Sequence, residues 1–387
     1  MKRAAVAVVG GGVIGASIAY HLAKRGVRDV LVLDRGHDPG EGSTGKATGG
    51  FRGQFATSVN VRLSLLAREK LLRFRDEVGV DPGYVQAGYL FMASSGRVLT
   101  ALRSALAVQN EAGLTESREV SPQEIAPLNP AVSLEGVIGG TWCPTDGFIV
   151  PMDILRGYLT ASTRLGVEFE WGVEVNEVLT EKDGSARGLS TSIGEVSAEA
   201  VVNAAGAWAG MLACGTHSPL SVTALKRQVA VTEPTEILPP TMPMTIFLDT
   251  GFHLRVRNGR VTLVGPLPEA KDNLLETGVD DEWLASTHAE ALQRVPALGD
   301  VRIDRGACYA GYYEMSPDKH AIIGPAPWCD NLFLANGSSG HGVMHAPAIG
   351  QLLAEILCDG VASSLDVSAL RPTRFSERAL NVPTDLL

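Results

Sequence analysis

Two glycine-rich stretches near the amino terminus have the residue types and spacing to hold a long diphosphate cofactor. The first is Gly10, Gly11, Gly12, Val13, Ile14 and Gly15, directly after the apolar run Ala5 to Val9. In this arrangement Gly10 permits a tight turn and Gly12 lets backbone approach a pyrophosphate, while Gly15 lets the next helix pack closely on the strand. The second stretch runs from Gly42, Ser43, Thr44 and Gly45 through Lys46, Ala47, Thr48, Gly49 and Gly50 to Phe51 and Arg52. NAD-binding folds continue here with strand and helix, without a second phosphate-like loop. Arg52 follows directly, and a planar guanidinium suits bidentate recognition of a carboxylate. The alternative for Arg52 is a solvated arginine, and for residues 42–50 an ordinary flexible loop.

The elements that must position these loops follow from periodicity. Ala5 to Val9 is short and wholly apolar, the pattern of a buried parallel strand. Ile14, Ile18 and Leu22 lie on one helical face, with Ala16, Ala19 and Ala23 small enough for close packing, and Gly26 stops the helix. The free amides and dipole of that helix's N-terminus favour phosphate. A second strand, Val30 to Leu33, ends in Asp34, where an acid binds the adenosine ribose. Further along, strands are predicted at 88–92, 167–170, 198–202, 229–232, 252–256, 261–264 and 332–335, with helices near 99–111, 152–165 and 280–295. The strand at 332–335 runs into Asn336, Gly337, Ser338, Ser339, Gly340, His341 and Gly342, then a long helix to Leu357 capped by Gly360. This turn is a second anion-favouring helix N-terminus. It suits the electron-rich end of a flavin, where negative charge gathers on reduction.

The chain of 387 residues is large enough for two domains with a substantial core. Nucleic acid is disfavoured by a net charge of −10. Five cysteines, Cys143, Cys214, Cys308, Cys329 and Cys358, are scattered singly with no C-x-x-C, which argues against metal sites and disulfides and for a reducing cytoplasm. No amino-terminal targeting segment is read in Met1 to Arg3, and no apolar run is long enough to span a bilayer.

With these motifs assembled, the chain resembles the D-amino acid oxidase/sarcosine oxidase family of flavoproteins, and within it the L-proline dehydrogenase and sarcosine oxidase β-subunits. The resemblance rests on GSTGKATGGFRGQF (42–55), NVRL (60–63), AGYLF (87–91), PTDG (144–147), NAAGAWA (203–209), AGYYEMSPD (310–318) and SSGHGVMHAPAIG (338–350). It implies an α/β fold, in which a glutathione-reductase-like FAD-binding Rossmann domain (1–85, 145–215 and 320–387) is interleaved with a mixed-sheet substrate domain (86–144 and 216–319). It also implies FAD as cofactor, and oxidation of a CH–N bond in an N-substituted or cyclic amino acid by hydride transfer to flavin N5.

Carried over residue by residue, the resemblance places Arg52, Tyr313 and His253 at the reacting end of the site. Tyr313 could donate to the carboxylate or position the amine, with a core tyrosine as the alternative. His253 falls where relatives often carry a tyrosine, with a structural histidine as the alternative. His341 is expected to pack and hydrogen-bond, with no acid–base step; His345 and Asp146 are left open. The cofactor is expected to touch Gly10, Gly12, Val13, Ile14, Gly15, Asp34, Arg35, Gly42, Ser43, Thr44, Lys46, Ala47, Thr48, Gly49 and Gly50. Further along the chain it is expected at Val175, Ala204, Ala205, Gly206, Trp208, Gly311, Gly337, Ser338, Ser339, Gly340, His341, Gly342, Val343 and Met344.

Departures from the family pattern carry information too. Gly311 replaces the cysteine that tethers FAD in monomeric sarcosine oxidases, so non-covalent FAD is expected. The lysine that assists O2 reduction is expected at Leu263, an apolar replacement that points toward a dehydrogenase or slow oxidase. Met344 stands where relatives have a second cation. The electron acceptor is O2 or a carrier, and an α-subunit with its own FMN is an implication of the family only. Other readings are a glycine or D-amino acid oxidase activity, a tRNA-modifying relative, disfavoured by the acidic charge, and a flavin-bearing scaffold without turnover, disfavoured by Arg52.

Overall fold

The computed structural model describes residues 2–214, 220–266 and 278–382. The boundary expected at 215–216 and the end of the last segment at 387 lie outside them. The predicted first strand runs Lys2–Val9 and is buried along its second half. It leads through the glycine turn into the helix Val13–Lys24, which has buried residues on every turn because it is sandwiched between other helices and the sheet. Gly26 ends it at φ +92°, a left-handed conformation suited to glycine. Strand Val30–Asp34 then pairs parallel to the first.

These strands belong to a nine-stranded sheet. Its parallel centre runs in the spatial order Leu332–Asn336, Gly194–Asn203, Lys2–Val9, Val30–Asp34, Glu168–Trp171. The central strands are apolar on both faces because both faces are covered. The helices Val13–Lys24, Ser58–Val78, Pro151–Arg164 and Gly342–Asp359 pack together in the cluster on one face. The carboxyl ends of the parallel strands bring Val9, Asp34 and Ala204 to one edge, the usual place for a ligand in such a sheet.

A second sheet has eight strands in the order Tyr309–Met315, Thr223–Val231, Arg260–Val264, Phe252–Arg257, Met244–Phe247, Tyr89–Ala93, Gly139–Cys143, Arg118–Val120. All neighbours are antiparallel except Met244–Phe247 against Tyr89–Ala93. Alternation along the strands sends two sets of side chains in opposite directions. Leu90, Ala230, Leu254, Val261 and Leu263 enter an apolar core that includes Trp283, Leu284, Ala291 and Leu292 of the helix Asp281–Arg294. Leu225, Arg227, Val229, Met244, Ile246, His253 and Val264 line a cavity on the other face. The expectation at Leu263 is therefore corrected. Leu263 is opposite Leu254 and Ala230 and fully buried in the core, whereas its neighbour Val264, opposite His253, reaches the cavity. A one-residue error of register moves a strand residue to the other face.

Candidate active site

The two sheets and three glycine-rich turns enclose a cavity of about 710 Å³. At one end the amino terminus of helix Val13–Lys24 faces it, and its N-cap residue, Gly12, has no side chain to cap the helix. A Cβ built on Gly12 would meet only Thr44 Oγ1 at 3.4 Å, so the protein itself leaves room there. On Gly10 and Gly15, by contrast, a Cβ would strike the Ala204 carbonyl at 2.4 Å and the Gly10 carbonyl at 1.9 Å. Gly15 thus works by close packing of the turn and does not itself line the cavity. Thr44 Oγ1 accepts the Val13 amide at 3.1 Å, and Ser43 Oγ donates to the Tyr312 carbonyl at 2.7 Å. These two bonds fix the second loop to the first helix and to the eight-stranded sheet.

Asp34 lines the cavity, and its carboxylate also accepts the Gly11 amide at 2.6 Å and the Gly36 amide at 2.7 Å. It therefore shapes the glycine turn as well as facing the ligand space. Beside it Arg35 stacks over Trp208, with the guanidinium carbon 3.9 Å from the ring centre, and Val175, Ala204, Ala205 and Gly206 complete that wall. A glycine cradle open for phosphate, an acid at the strand end and an apolar slot next to it match the parts of FAD in order. Gly10, Gly12, Val13, Ile14 and the stretches 42–44 and 46–50 line the same cavity, as do Gly311, Ser339, Gly340, His341, Gly342, Val343 and Met344. Gly337 and Ser338 do not. Gly337 packs against Ser316 and Ile322, and the Ser338 amide donates to Glu314 at 3.2 Å, so both serve the turn and not its lining.

Arg52, Tyr313 and His253 all reach the other end of the cavity. Arg52 is 3% exposed. Its Nη1 donates to the Gln54 carbonyl at 2.9 Å, its Nη2 lies 3.0 Å from His341 Nε2, and its guanidinium lies 4.1 Å from the centre of the Phe55 ring. Neither hydrogen-bond partner is an acid. Burial pushes its pKa down, while Tyr89, Asp146 and Tyr313 act in the opposite sense. A guanidinium remains protonated in any such setting. His253 is held by a contact from Nδ1 to the Gly251 carbonyl at 3.0 Å. Burial first, then Arg227 and Arg52, push it down to about 4, so the imidazole is neutral at physiological pH.

Several residues on the cavity wall escape a reading by motif. Arg227 is one of them. It is 6% exposed, its guanidinium sits 5.6 Å from the Tyr313 ring centre, and its Nε has no hydrogen-bond partner. The alternation in the strand Thr223–Val231 was the only available signal. Asp146 does not line the cavity. It accepts Gly53 N at 2.7 Å and Gln54 Nε2 at 3.1 Å, which ties the arginine loop to the strand pair Gly50–Phe51 and Gly147–Phe148. His345 is buried 2.7 Å from Ser64 Oγ and serves helix packing.

Glu314 also faces the cavity, with Oε1 accepting the Ser338 amide and Oε2 buried without a partner. Burial raises its pKa from 4.5 to about 7, against the hydrogen bonds from Ser338 and Gly337. The folded state then binds more protons than the unfolded chain between those values. The contribution of Glu314 to the stability of the cofactor-free protein should fall as pH rises from about 4.5 to about 7 and then level off. Glu314→Gln keeps an acceptor for Ser338 and removes the titration. It should raise stability at pH 8 by up to about 3 kcal/mol and leave pH 4.5 little changed, measured by denaturant unfolding across that range.

Comparison with known proteins identifies the family and the fold. The family model described as FAD dependent oxidoreductase (DAO) matches residues 5–356. The FAD-dependent oxidoreductase domain-containing protein 1 of Xenopus laevis is 29% identical over 97% of the chain and 83% of its own length. Mitochondrial sarcosine dehydrogenase of Homo sapiens is 29% identical over 93% of the chain, which spans 40% of that protein. The crystal structure of L-proline dehydrogenase from P. horikoshii superposes with a TM-score of 0.90 at 28% identity, covering 98% of this chain and all of that one.

Proposed function

Because the chain belongs to the DAO family of FAD-dependent oxidoreductases, we propose that it oxidises the CH–N bond of an N-substituted or cyclic amino acid, in the class of sarcosine, dimethylglycine, proline or hydroxyproline. The observation that carries this substrate class is Arg52, a buried cation at the cavity wall whose hydrogen-bond partners are a carbonyl and an imidazole, with no acid among them. A carboxylate entering there meets the remaining N–H groups of the fork.

When bound, FAD supplies the acceptor for the hydride that leaves the carbon next to nitrogen. The protein's part is positioning and charge. Arg52 holds the carboxylate, and Phe55 and His341 fix the plane of its guanidinium. Tyr313 lines the cavity beside Arg227 and can donate to carboxylate or amine. The amine must be neutral to release a hydride, and a cationic, desolvated pocket lowers the pKa of a substrate ammonium. No protein base is then required: His253 is already neutral and serves as a polar wall. The imine product hydrolyses in solvent. The position that the resemblance associates with O2 reduction is Leu263, which enters the core, and its cavity-facing neighbour is Val264, so neither supplies a cation, which favours a carrier as acceptor.

On this reading residues 1–85, 145–215 and 320–387 form the nucleotide domain and 86–144 with 216–319 the substrate domain. Among the described residues no helix is long and apolar enough to cross a membrane. All five cysteines are free, in keeping with a reducing compartment such as the cytoplasm.

FAD is held without a covalent bond on this account. No cysteine lines the cavity, Gly311 faces Lys46 there, and Cys308 lies outside it, with Sγ 3.3 Å from the Asp304 carbonyl. Acid precipitation should leave the yellow colour in the supernatant; colour in the pellet would overturn this. The activity itself is tested by mixing the purified protein anaerobically with sarcosine, dimethylglycine, L- and D-proline, hydroxyproline and glycine and following the flavin absorption band. Bleaching by a member of the panel is expected. A fully loaded protein that none of them bleaches would favour a flavin-bearing scaffold.

A further inference from the structure

Arg227 is a charged group for which the mechanism above has no use. It lies on the strand Thr223–Val231, opposite Gly311, and lines the cavity with Leu225, Ile246, His253 and Tyr313. Its exposure is 6%, it makes no ion pair among the described residues, and its Nε has no acceptor. The ring of Tyr313 gives its guanidinium a face to lie against and no countercharge. A buried cation without an anion is costly, and such groups persist where something else supplies the charge. Arg52 is the second buried cation of the same wall, its side chain hydrogen-bonded to a carbonyl and an imidazole and to no acid. Both lie close enough to His253 to act on it electrostatically, so the two arginines bracket one small space.

We propose that the substrate carries two carboxylates, one held by Arg52 and the other by Arg227, so that the preferred compound is an N-substituted amino dicarboxylate. This rests on the CH–N oxidation proposed above and narrows its substrate. The apolar residues Leu225, Met244 and Ile246 would line the carbon chain that separates the two anionic ends. Two fixed cations then orient the molecule at both ends, which a single clamp does not do.

The test compares N-methyl-L-aspartate, N-methyl-L-glutamate and iminodiacetate with sarcosine and L-proline as anaerobic reductants of the holoenzyme. It adds binding of unreactive succinate and acetate, read from perturbation of the flavin spectrum. At least one dicarboxylate should exceed the best monocarboxylate in kcat/KM by about tenfold to a hundredfold, the range for one further charge-assisted contact, and succinate should bind more tightly than acetate by a similar factor. Arg227→Met should collapse the dicarboxylate-to-monocarboxylate ratio toward one, and Arg227→Lys should recover part of it. Three results would overturn the proposal: monocarboxylates bleaching the flavin as well as dicarboxylates do, Arg227→Met lowering both classes equally, or Arg227→Met losing FAD in a folded protein, which would assign the cation to the cofactor. If no amine of either class bleaches the flavin, CH–N oxidation fails. The succinate-to-acetate ratio in the wild-type protein still decides whether a two-anion site exists.

Discussion

Arg52→Ala should lower kcat/KM by at least about a hundredfold while FAD content stays at the wild-type level. The side chain contributes two separable effects. As a carboxylate partner it offers charge-assisted hydrogen bonds of about 1.5–3 kcal/mol each. As a fixed reference point it holds the reacting carbon in place, and misplacement of a reacting group costs on the order of a hundredfold. Its plane is set from the protein side by the Gln54 carbonyl, His341 and the face of Phe55, so the fork is already oriented before substrate arrives. Arg52→Lys keeps the charge and loses the fork, and it should recover only part of the loss. Single-turnover reduction by stopped flow, with a substrate from the amine panel, reads the effect without interference from reoxidation. Wild-type rate and affinity in Arg52→Ala would move the clamp to Arg227.

Gly12→Val should yield a folded protein almost devoid of FAD. The backbone of Gly12 has φ −68° and ψ −179°, which any residue adopts, and a Cβ there meets only Thr44 Oγ1 at 3.4 Å. The added side chain therefore has room in the protein and fills the space where a diphosphate would approach the helix amides. Losing two charge-assisted hydrogen bonds of about 1.5–3 kcal/mol each weakens binding by roughly two to four powers of ten. Gly15→Val is the contrasting case, since its Cβ would lie 1.9 Å from the Gly10 carbonyl oxygen, and the turn itself should fail. Flavin-to-protein absorbance ratios, with the thermal midpoint of each cofactor-free variant, separate the two. A Gly12→Val protein that retains its full FAD would show that the diphosphate lies elsewhere.

The parts of the fold visible in the sequence are those with a strong local pattern. The run Ala5 to Val9, the helix face Ile14, Ile18 and Leu22, and the capping glycines Gly26 and Gly360 all lie where the periodicity puts them. The helix Ser58–Val78 was overlooked although Val59, Leu63, Ala67, Leu71, Phe74 and Val78 form a buried stripe, because its many charged residues mask the spacing. The hairpin Val175–Thr180 with Ala186–Thr191 is only partly buried along its first strand, and its mixed composition hides it. In the site, the glycine turns are legible because backbone approach demands glycine. Arg227 is not, because its meaning depends on which way one strand residue points and on the absence of an acid beside it, and neither has a local signature. The error at Leu263 has the same origin: motif alignment along a strand is good to about one residue, and one residue reverses the face.

In the proposed reaction a hydride leaves the carbon next to nitrogen of an amino acid held in this cavity. Its most direct measurement is anaerobic stopped-flow bleaching of the bound flavin by the best substrate of the panel, with hydrogen or deuterium at that carbon. Complete bleaching, a rate several-fold slower with deuterium, and a stoichiometric imine or its hydrolysis product are expected. Protein carrying its full FAD that no amino acid of either carboxylate class reduces would contradict it.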